Sequence, residues 1–399
     1  VALHYADDNS PTTISPTTFT PMIISPPDYL ADATPRLSEF AKESKVPSSR
    51  IGRFVTFGNM AVGLGLGAAV EATKRSLGLS KAQESPIDSV LGQSNPFLSD
   101  ANAERIVSTL CRVRGAALKL GQMLSIQDSS LVSPQLQKIF DRVRDSADFM
   151  PTSQVLKVLT KELGGDWRNK VQEFDEKPFA AASIGQVHRA VLEDGREVAM
   201  KIQYPGVAQS INSDINNLVS VLNLANLVPV QMYLEKFIRV ARHELKMECD
   251  YVHEKEASRK FKQLLKDEKD IYIPEVIDEL STKQVFTSEL IYGIPLDKCV
   301  DLDQDTRDWL GDKILELCLR ELFEFRYMQT DPNFANFFYA QDEDGKKQLI
   351  LLDFGASRPY PKKFVDLYMK IIKSAADENR GGILQFSTEI GFLTGYETS

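Results

Sequence analysis

The sequence predicts an α+β fold of two lobes behind a helical N-terminal extension, and three features carry that expectation. Lys201 stands in a strand pattern, "EVAMKIQ". "QTDPNFANFF" at 329–338 sets Asp331 five residues before Asn336. "LLDFGAS" at 351–357 then places Asp353 behind an apolar run that reads as a buried strand. A lysine, an Asp-x4-Asn loop and a DFG aspartate, in that order, are the charged parts of a phosphoryl-transfer site.

From the N-terminus, residues 1–50 are rich in Ser, Thr and Pro, a composition that buries little apolar surface and predicts a disordered segment. Residues 51–76 follow as a membrane-helix candidate, because Phe54 to Val70 is uncharged for 17 residues, the short limit for a span. Gly63 and Gly67 form a GxxxG face on which two helices can approach closely, which predicts a homodimer contact. The same spacing also fits a buried or amphipathic soluble helix. Residues 77–98 read as a polar linker.

Residues 99–165 are expected to form a helical extension. Ile106, Leu110, Val113, Ala117, Leu120 and Leu124 step by four and three, predicting one continuous amphipathic helix. Ser99 or Asp100 would cap it. Arg112, Gly115, Lys119 and Gln122 recur as a second stripe on that helix. Another helix is expected from Pro151 to Gly164.

The first lobe, 166–292, opens with strands near Val171–Phe174, Gln186–Leu192 and Glu197–Gln203, the last two joined by a turn at Glu193-Asp-Gly195. "FAAAS" stands where a glycine loop would arch over phosphates. Ala180, Ala181, Ala182 and Ser183 resist positive φ and narrow the poses open to a nucleotide. Lys201 would hold the phosphates and needs an acidic partner. "ECDYVHE", within what reads as one long charged helix, offers Glu248, Asp250 and Glu254. Of these, Asp250 and Glu254 share a face at i and i+4. Ser288, Glu289, Leu290 and Ile291 precede Gly293 and Pro295 and suit a hinge whose backbone meets adenine.

The second lobe, 293–399, carries a helix through Ile314 to Phe325 and then the charged loop. Phosphoryl transfer rests on positioning and charge neutralisation. Asp331 would orient or deprotonate the attacking group, while Asn336 and Asp353 would hold Mg2+ against the phosphates of ATP or ADP. The ordered set thus predicts a protein-kinase-like nucleotide site. The bland alternative for Asp331 and Asn336 is an Asx-Pro turn with capping side chains. Gln329-Thr330 stand where protein kinases carry His-Arg, and no APE follows DFG, so a peptide-docking platform is not expected. With 46 residues after Asp353, this lobe is expected to be incomplete.

A net charge of −9 and a pI near 5.2 argue against a general nucleic-acid binder. Cys111, Cys249, Cys299 and Cys318 are widely spaced and form no cluster with the four histidines, which argues against a zinc site or a disulfide scaffold.

These residues resemble the UbiB, or aarF-domain, atypical kinases, nearest the mitochondrial coenzyme Q branch, over roughly 99–399. The KxGQ motif stands as Lys119-Leu-Gly121-Gln122, the alanine-rich loop as Ala180 to Ser183, and the ExD motif as Glu248-Cys-Asp250. Asp331 with Asn336 and the DFG at Asp353 complete the set. The resemblance implies a protein-kinase-like two-lobed fold with the helical N-terminal extension covering the active site. It implies that Lys119, with Gly121 and Gln122, meets Glu248 and Asp250 and gates the substrate side, leaving Glu254 to Lys201. It further implies ATPase-like activity with ordinary protein phosphorylation disfavoured, on the matrix side of the mitochondrial inner membrane. That setting favours the membrane reading of 54–70. Coenzyme Q biosynthetic proteins and inner-membrane lipids such as cardiolipin are the implied partners. The alternatives are a genuine protein or small-molecule (lipid) kinase and a nucleotide-binding pseudokinase scaffold.

Overall fold

A computed structural model describes residues 42–76, 100–115, 119, 138–139, 142–143, 148–224, 234–331, 333–341 and 344–393. Its first helix, α1 (Arg50–Ser76), has two opposite faces. Arg53, Phe57, Met60, Leu64 and Ala68 recur at helical spacing and are buried. Ile51, Phe54, Val55, Val62, Leu66 and Val70 are exposed. The buried face packs against α2 (Asp100–Val113) and the later helix α4 (Val207–Leu224). Burial of each large apolar side chain there contributes about 1.5–3 kcal/mol. Among the described residues, Arg50–Val70 is the one stretch long and apolar enough to cross a membrane.

The GxxxG glycines are used within the chain. A Cβ on Gly67 would lie 2.1 Å from Asn102 Oδ1, and one on Gly63 would meet Arg105 Cδ at 3.3 Å. Both neighbours belong to α2, so a homodimer through Gly63 and Gly67 would have to displace that helix. Arg53 Nη1 meets Asp214 Oδ2 at 2.6 Å, with side chains only 1% and 2% exposed, and fastens α1 to α4.

The continuous helix expected through Leu124 stops early. Arg114 and Gly115 have φ of +55° and +52°, and two successive left-handed residues end α2 at Val113. Gly115 then donates its N–H to Ser183 O at 2.9 Å, turning the chain toward the first lobe. Gly121 and Gln122 lie outside the described residues, whereas Lys119 is among them.

After α3 (Thr152–Leu163) come strands β1 (Val171–Phe174), β2 (Ala180–Ala181), β3 (Gly185–Leu192), β4 (Glu197–Gln203) and, later, β6 (Val285–Glu289). They form an antiparallel sheet ordered β1-β3-β4-β6, with β2 on β3. The two-residue period of a strand decides which way its side chains point. Val198, Met200 and Ile202 are fully buried on one face of β4, which sends Lys201 to the other. The register sets Lys201 opposite Val187 and Phe286.

The long charged helix expected around Glu248 is two helices, α5 (Leu234–Glu248) and α6 (Tyr251–Leu264). Asp250 sits between them and caps α6, accepting the His253 N–H at 3.1 Å. Asp250 therefore does not share a helical face with Glu254.

In the second lobe, β5 (Ile271–Tyr272), β7 (Ile294–Pro295), β9 (Phe337–Gln341) and β10 (Lys347–Leu351) form a sheet ordered β5-β10-β9-β7. β8 (Tyr327–Gln329) pairs with β11 (Ser357–Pro359) beside the charged loop. α7 (Gln304–Leu319) runs into a π-helical turn at Arg320–Phe325, and α8 (Lys362–Ala376) and α9 (Arg380–Ile390) pack on each other. A division at residue 292 does not separate the cores cleanly. Ala257 and Phe261 of α6 and Ile273 after β5 pack with Leu349, Leu351 and Phe354.

Candidate nucleotide site

Lys201 projects from β4 into the cleft between the lobes. Its Nζ lies 3.0 Å and 3.2 Å from the two Glu254 carboxylate oxygens and 3.2 Å from Asp353 Oδ2. The register of these three groups has a packing cause. Phe354, next to Asp353, packs with its ring centre 5.0 Å from that of Phe261 and tilted by 32°, and Phe261 lies on the helix that carries Glu254. Burial pushes the Glu254 carboxyl up to about 7 against the opposing pull of Lys201. Burial also acts on Lys201, but Asp353 and Glu254 outweigh it and hold the ammonium well above its ordinary value. Burial raises Asp353 too, yet Lys201 and the Gly355 N–H outweigh it and hold that carboxylate below its usual range. Asp353 has a φ of +36°, uncommon for an L-residue, and its Oδ1 accepts the Gly355 N–H at 3.1 Å.

A second cluster lies at the outer side of the cleft. Lys119 Nζ is 2.9 Å from Asp331 Oδ2 and 4.0 Å from Glu248 Oε2. Burial alone would lower the Lys119 ammonium, but Glu248 and Asp331 together raise it. Burial pushes Glu248 up to about 7, opposed by Lys119. Ser183 of the alanine loop donates its hydroxyl to Glu248. The structure thus brings Lys119 to Glu248 and Asp331. Asp250, exposed and committed to capping, is not brought to Lys119.

A cavity of about 440 Å³ lies between the clusters, lined by Ala180–Ser183, Lys201, Glu254, Ser288–Ile291, Asp331, Asn336 and Asp353. None of Ala180, Ala181, Ala182 and Ser183 has positive φ, so the loop is built from conformations alanine tolerates. Ala182 N–H donates to Gly185 O at 2.8 Å, closing the turn on itself. In the hinge, Glu289 N–H donates to Glu275 O at 2.9 Å and Leu290 N–H to Glu197 O at 3.0 Å. Ile291 N–H has no such backbone partner among the described residues, which singles it out as the donor open to a ligand. For Mg2+, Asn336 and Asp353 present a side-chain amide and a carboxylate to one cavity. Mg2+ commonly takes one or two protein carboxylates, waters and substrate phosphates, and that donor set fits it.

The family model described as "ABC1 atypical kinase-like domain" matches residues 142–387. The chain belongs to this family. Among curated proteins similar to this ABC1 atypical kinase-like chain is the Caenorhabditis elegans atypical kinase coq-8, mitochondrial, 59% identical over 90% of this chain and 47% of the relative. The Danio rerio atypical kinase COQ8B, mitochondrial, is 55% identical over 91% of this chain and 57% of the relative. The Saccharomyces cerevisiae atypical kinase COQ8, mitochondrial, is 42% identical over 90% of this chain and 69% of the relative. The chain spans about half the length of the first two. A solved structure of Rv3197 with erythromycin from Mycobacterium tuberculosis is similar in fold, with a TM-score of 0.51, 28% identity and 78% coverage of each chain.

Several polar residues of this ABC1 atypical kinase-like site had only a weak sequence signal. Arg358 of β11 donates to Glu244 on α5 and to Thr330 Oγ1, each at 2.7 Å. His253 Nε2 lies 2.8 Å from Ser357 O. Gln329 donates from Nε2 to Asp353 O at 2.5 Å, and its Oε1 accepts the Asp331 N–H at 3.2 Å. The one available hint was the Gln-Thr pair in the place of His-Arg before the aspartate.

Proposed function

We propose that this chain is the nucleotide-binding part of an atypical kinase or ATPase that uses Mg-ATP and supports coenzyme Q biosynthesis. One observation carries the reading: the Lys201 ammonium within 3.2 Å of both Glu254 and Asp353 in the inter-lobe cavity. Three charged groups converging in one cavity, Glu254 buried and Asp353 open to it, suit a polyphosphate and its counter-cation. Lys201 would hold the phosphates, with Glu254 fixing the ammonium in place. Asn336 and Asp353 would ligate Mg2+, which when bound neutralises charge developing on the transferred phosphoryl group. Asp331 would take the proton of the attacking water or hydroxyl, and Lys119 has to leave Asp331 for that to happen. Lys119, Glu248 and Ser183 then act as the gate on the acceptor side.

The relatives' names support a mitochondrial setting. The exposed apolar face of α1 suits contact with inner-membrane lipids, cardiolipin included, on the matrix side. Coenzyme Q biosynthetic proteins are the proposed partners. Asp353→Asn is expected to abolish Mg-dependent ATP turnover while circular dichroism stays unchanged; turnover at the parent rate would defeat the assignment. A second reading, phosphoryl transfer to a small molecule or lipid, draws on the position of Lys119, which crowds Asp331 against a peptide. Label from γ-labelled ATP appearing in an organic-soluble product would favour it over hydrolysis.

A further inference from the structure

We infer that Gln329 is a positioning residue whose amide ties the orientation of Asp331 to that of Asp353; this rests on the nucleotide-site reading above. Gln329 closes β8 and stands opposite Ser357 of β11. Its own N–H donates to Glu321 Oε2 at 3.2 Å, which fixes the backbone at this point. The side chain then uses both ends of its amide. Nε2 donates to the Asp353 carbonyl at 2.5 Å, and Oε1 accepts the Asp331 N–H at 3.2 Å. The two aspartates are 22 positions apart in sequence and sit on different loops, yet one side chain holds the backbone of each.

The bond to Asp353 falls where the backbone most needs one. At φ of +36° that residue is in a left-handed conformation, which L-residues adopt only when their surroundings hold them there. A donor on its carbonyl fixes the peptide and with it the direction of the carboxylate toward Lys201. The chemistry of the residue matters. A side-chain amide offers donor and acceptor together and does not titrate, whereas a carboxylate lacks the donor and a thioether has no donor and only a weak acceptor.

The test compares the parent chain with Gln329→Met and Gln329→Glu for Mg-dependent ATP turnover, Mg2+ requirement, and nucleotide binding without Mg2+. The Met variant keeps the bulk and loses both bonds. It is expected to lower turnover about tenfold, the worth of one net hydrogen bond, and to raise the Mg2+ requirement. Mg-free nucleotide binding should be unchanged. The Glu variant keeps the acceptor for the Asp331 N–H and lacks the donor to the Asp353 carbonyl, so at fixed pH it should lower turnover and raise the Mg2+ requirement in the same direction as the Met variant. A purely structural role would instead lower the melting temperature while the folded protein kept the parent's Mg2+ requirement. Parent-like turnover and Mg2+ requirement in the Met variant overturn the inference. If the Met variant unfolds, the Mg2+ requirement of the Glu variant decides alone. A parent chain that neither binds nor turns over nucleotide overturns the site reading instead.

Discussion

Lys119 lies on Asp331, with 2.9 Å between the ammonium and the carboxylate. The residue proposed to accept a proton is thus already paired with a cation from the N-terminal extension. Asp331 is 38% exposed on its side chain, so the pair is partly screened and worth about 1 kcal/mol. Lys119→Met is expected to raise basal ATP turnover about fivefold by removing that competition. A fall in turnover would show that Lys119 serves the reaction rather than restraining it.

The buried carboxyls set a pH dependence whose sign is fixed. Glu248 and Glu254 are each pushed from 4.5 up to about 7, so the folded chain holds protons that the unfolded chain releases. Their contribution to stability is fully present below 4.5 and is lost as pH rises toward 7. Glu248→Gln keeps an acceptor for Ser183 while removing the titration. Its melting temperature should fall less steeply than the parent's across that interval.

The alanine loop makes its own prediction. Because Ala180 to Ser183 need no positive φ, glycine there is not a conformational requirement. Ala182→Gly adds backbone freedom of about 0.5–1 kcal/mol. It is expected to change the ratio of ATP to ADP affinity about threefold or more, read by competition binding. Identical affinities would leave the loop without a role in nucleotide choice.

The glycine face of α1 is open to a double substitution. Gly67→Ala would place a methyl against the fully buried Asn102 and lower stability by about 1–3 kcal/mol. Adding Asn102→Ala should restore part of the loss in thermal denaturation. No loss in the single variant would mean that α1 and α2 are not packed this closely in solution.

The charged residues of the site were legible because their chemistry dictates type, order and spacing. Lys201, Asp331, Asn336 and Asp353 line the same cavity, as the strand period and the Asp-x4-Asn spacing led one to expect. What could not be read were the breaks. Periodicity alone gave one helix through Leu124, but consecutive positive φ at Arg114 and Gly115 ends it, and nothing in the sequence announces an arginine in that conformation. Likewise Asp250 looked like a helical partner of Glu254 until its side chain proved to be a cap. Glycines at 63 and 67 signal close approach in either setting, and only the fold names α2 as the neighbour.

The Arg53–Asp214 pair has a practical consequence for anyone trimming this protein. Both side chains are sealed from solvent, and Arg53 also donates to Val113 O at 3.1 Å, so one guanidinium closes three segments together. A fragment starting after Ser76 would lose that pairing and uncover the faces of α2 and α4 that α1 buries. The contacts reach further back still: Val46 is buried, and its N–H and carbonyl pair with the Gln154 side chain at 3.0 Å each, so a trimmed chain has to begin before Val46 to keep this unit closed.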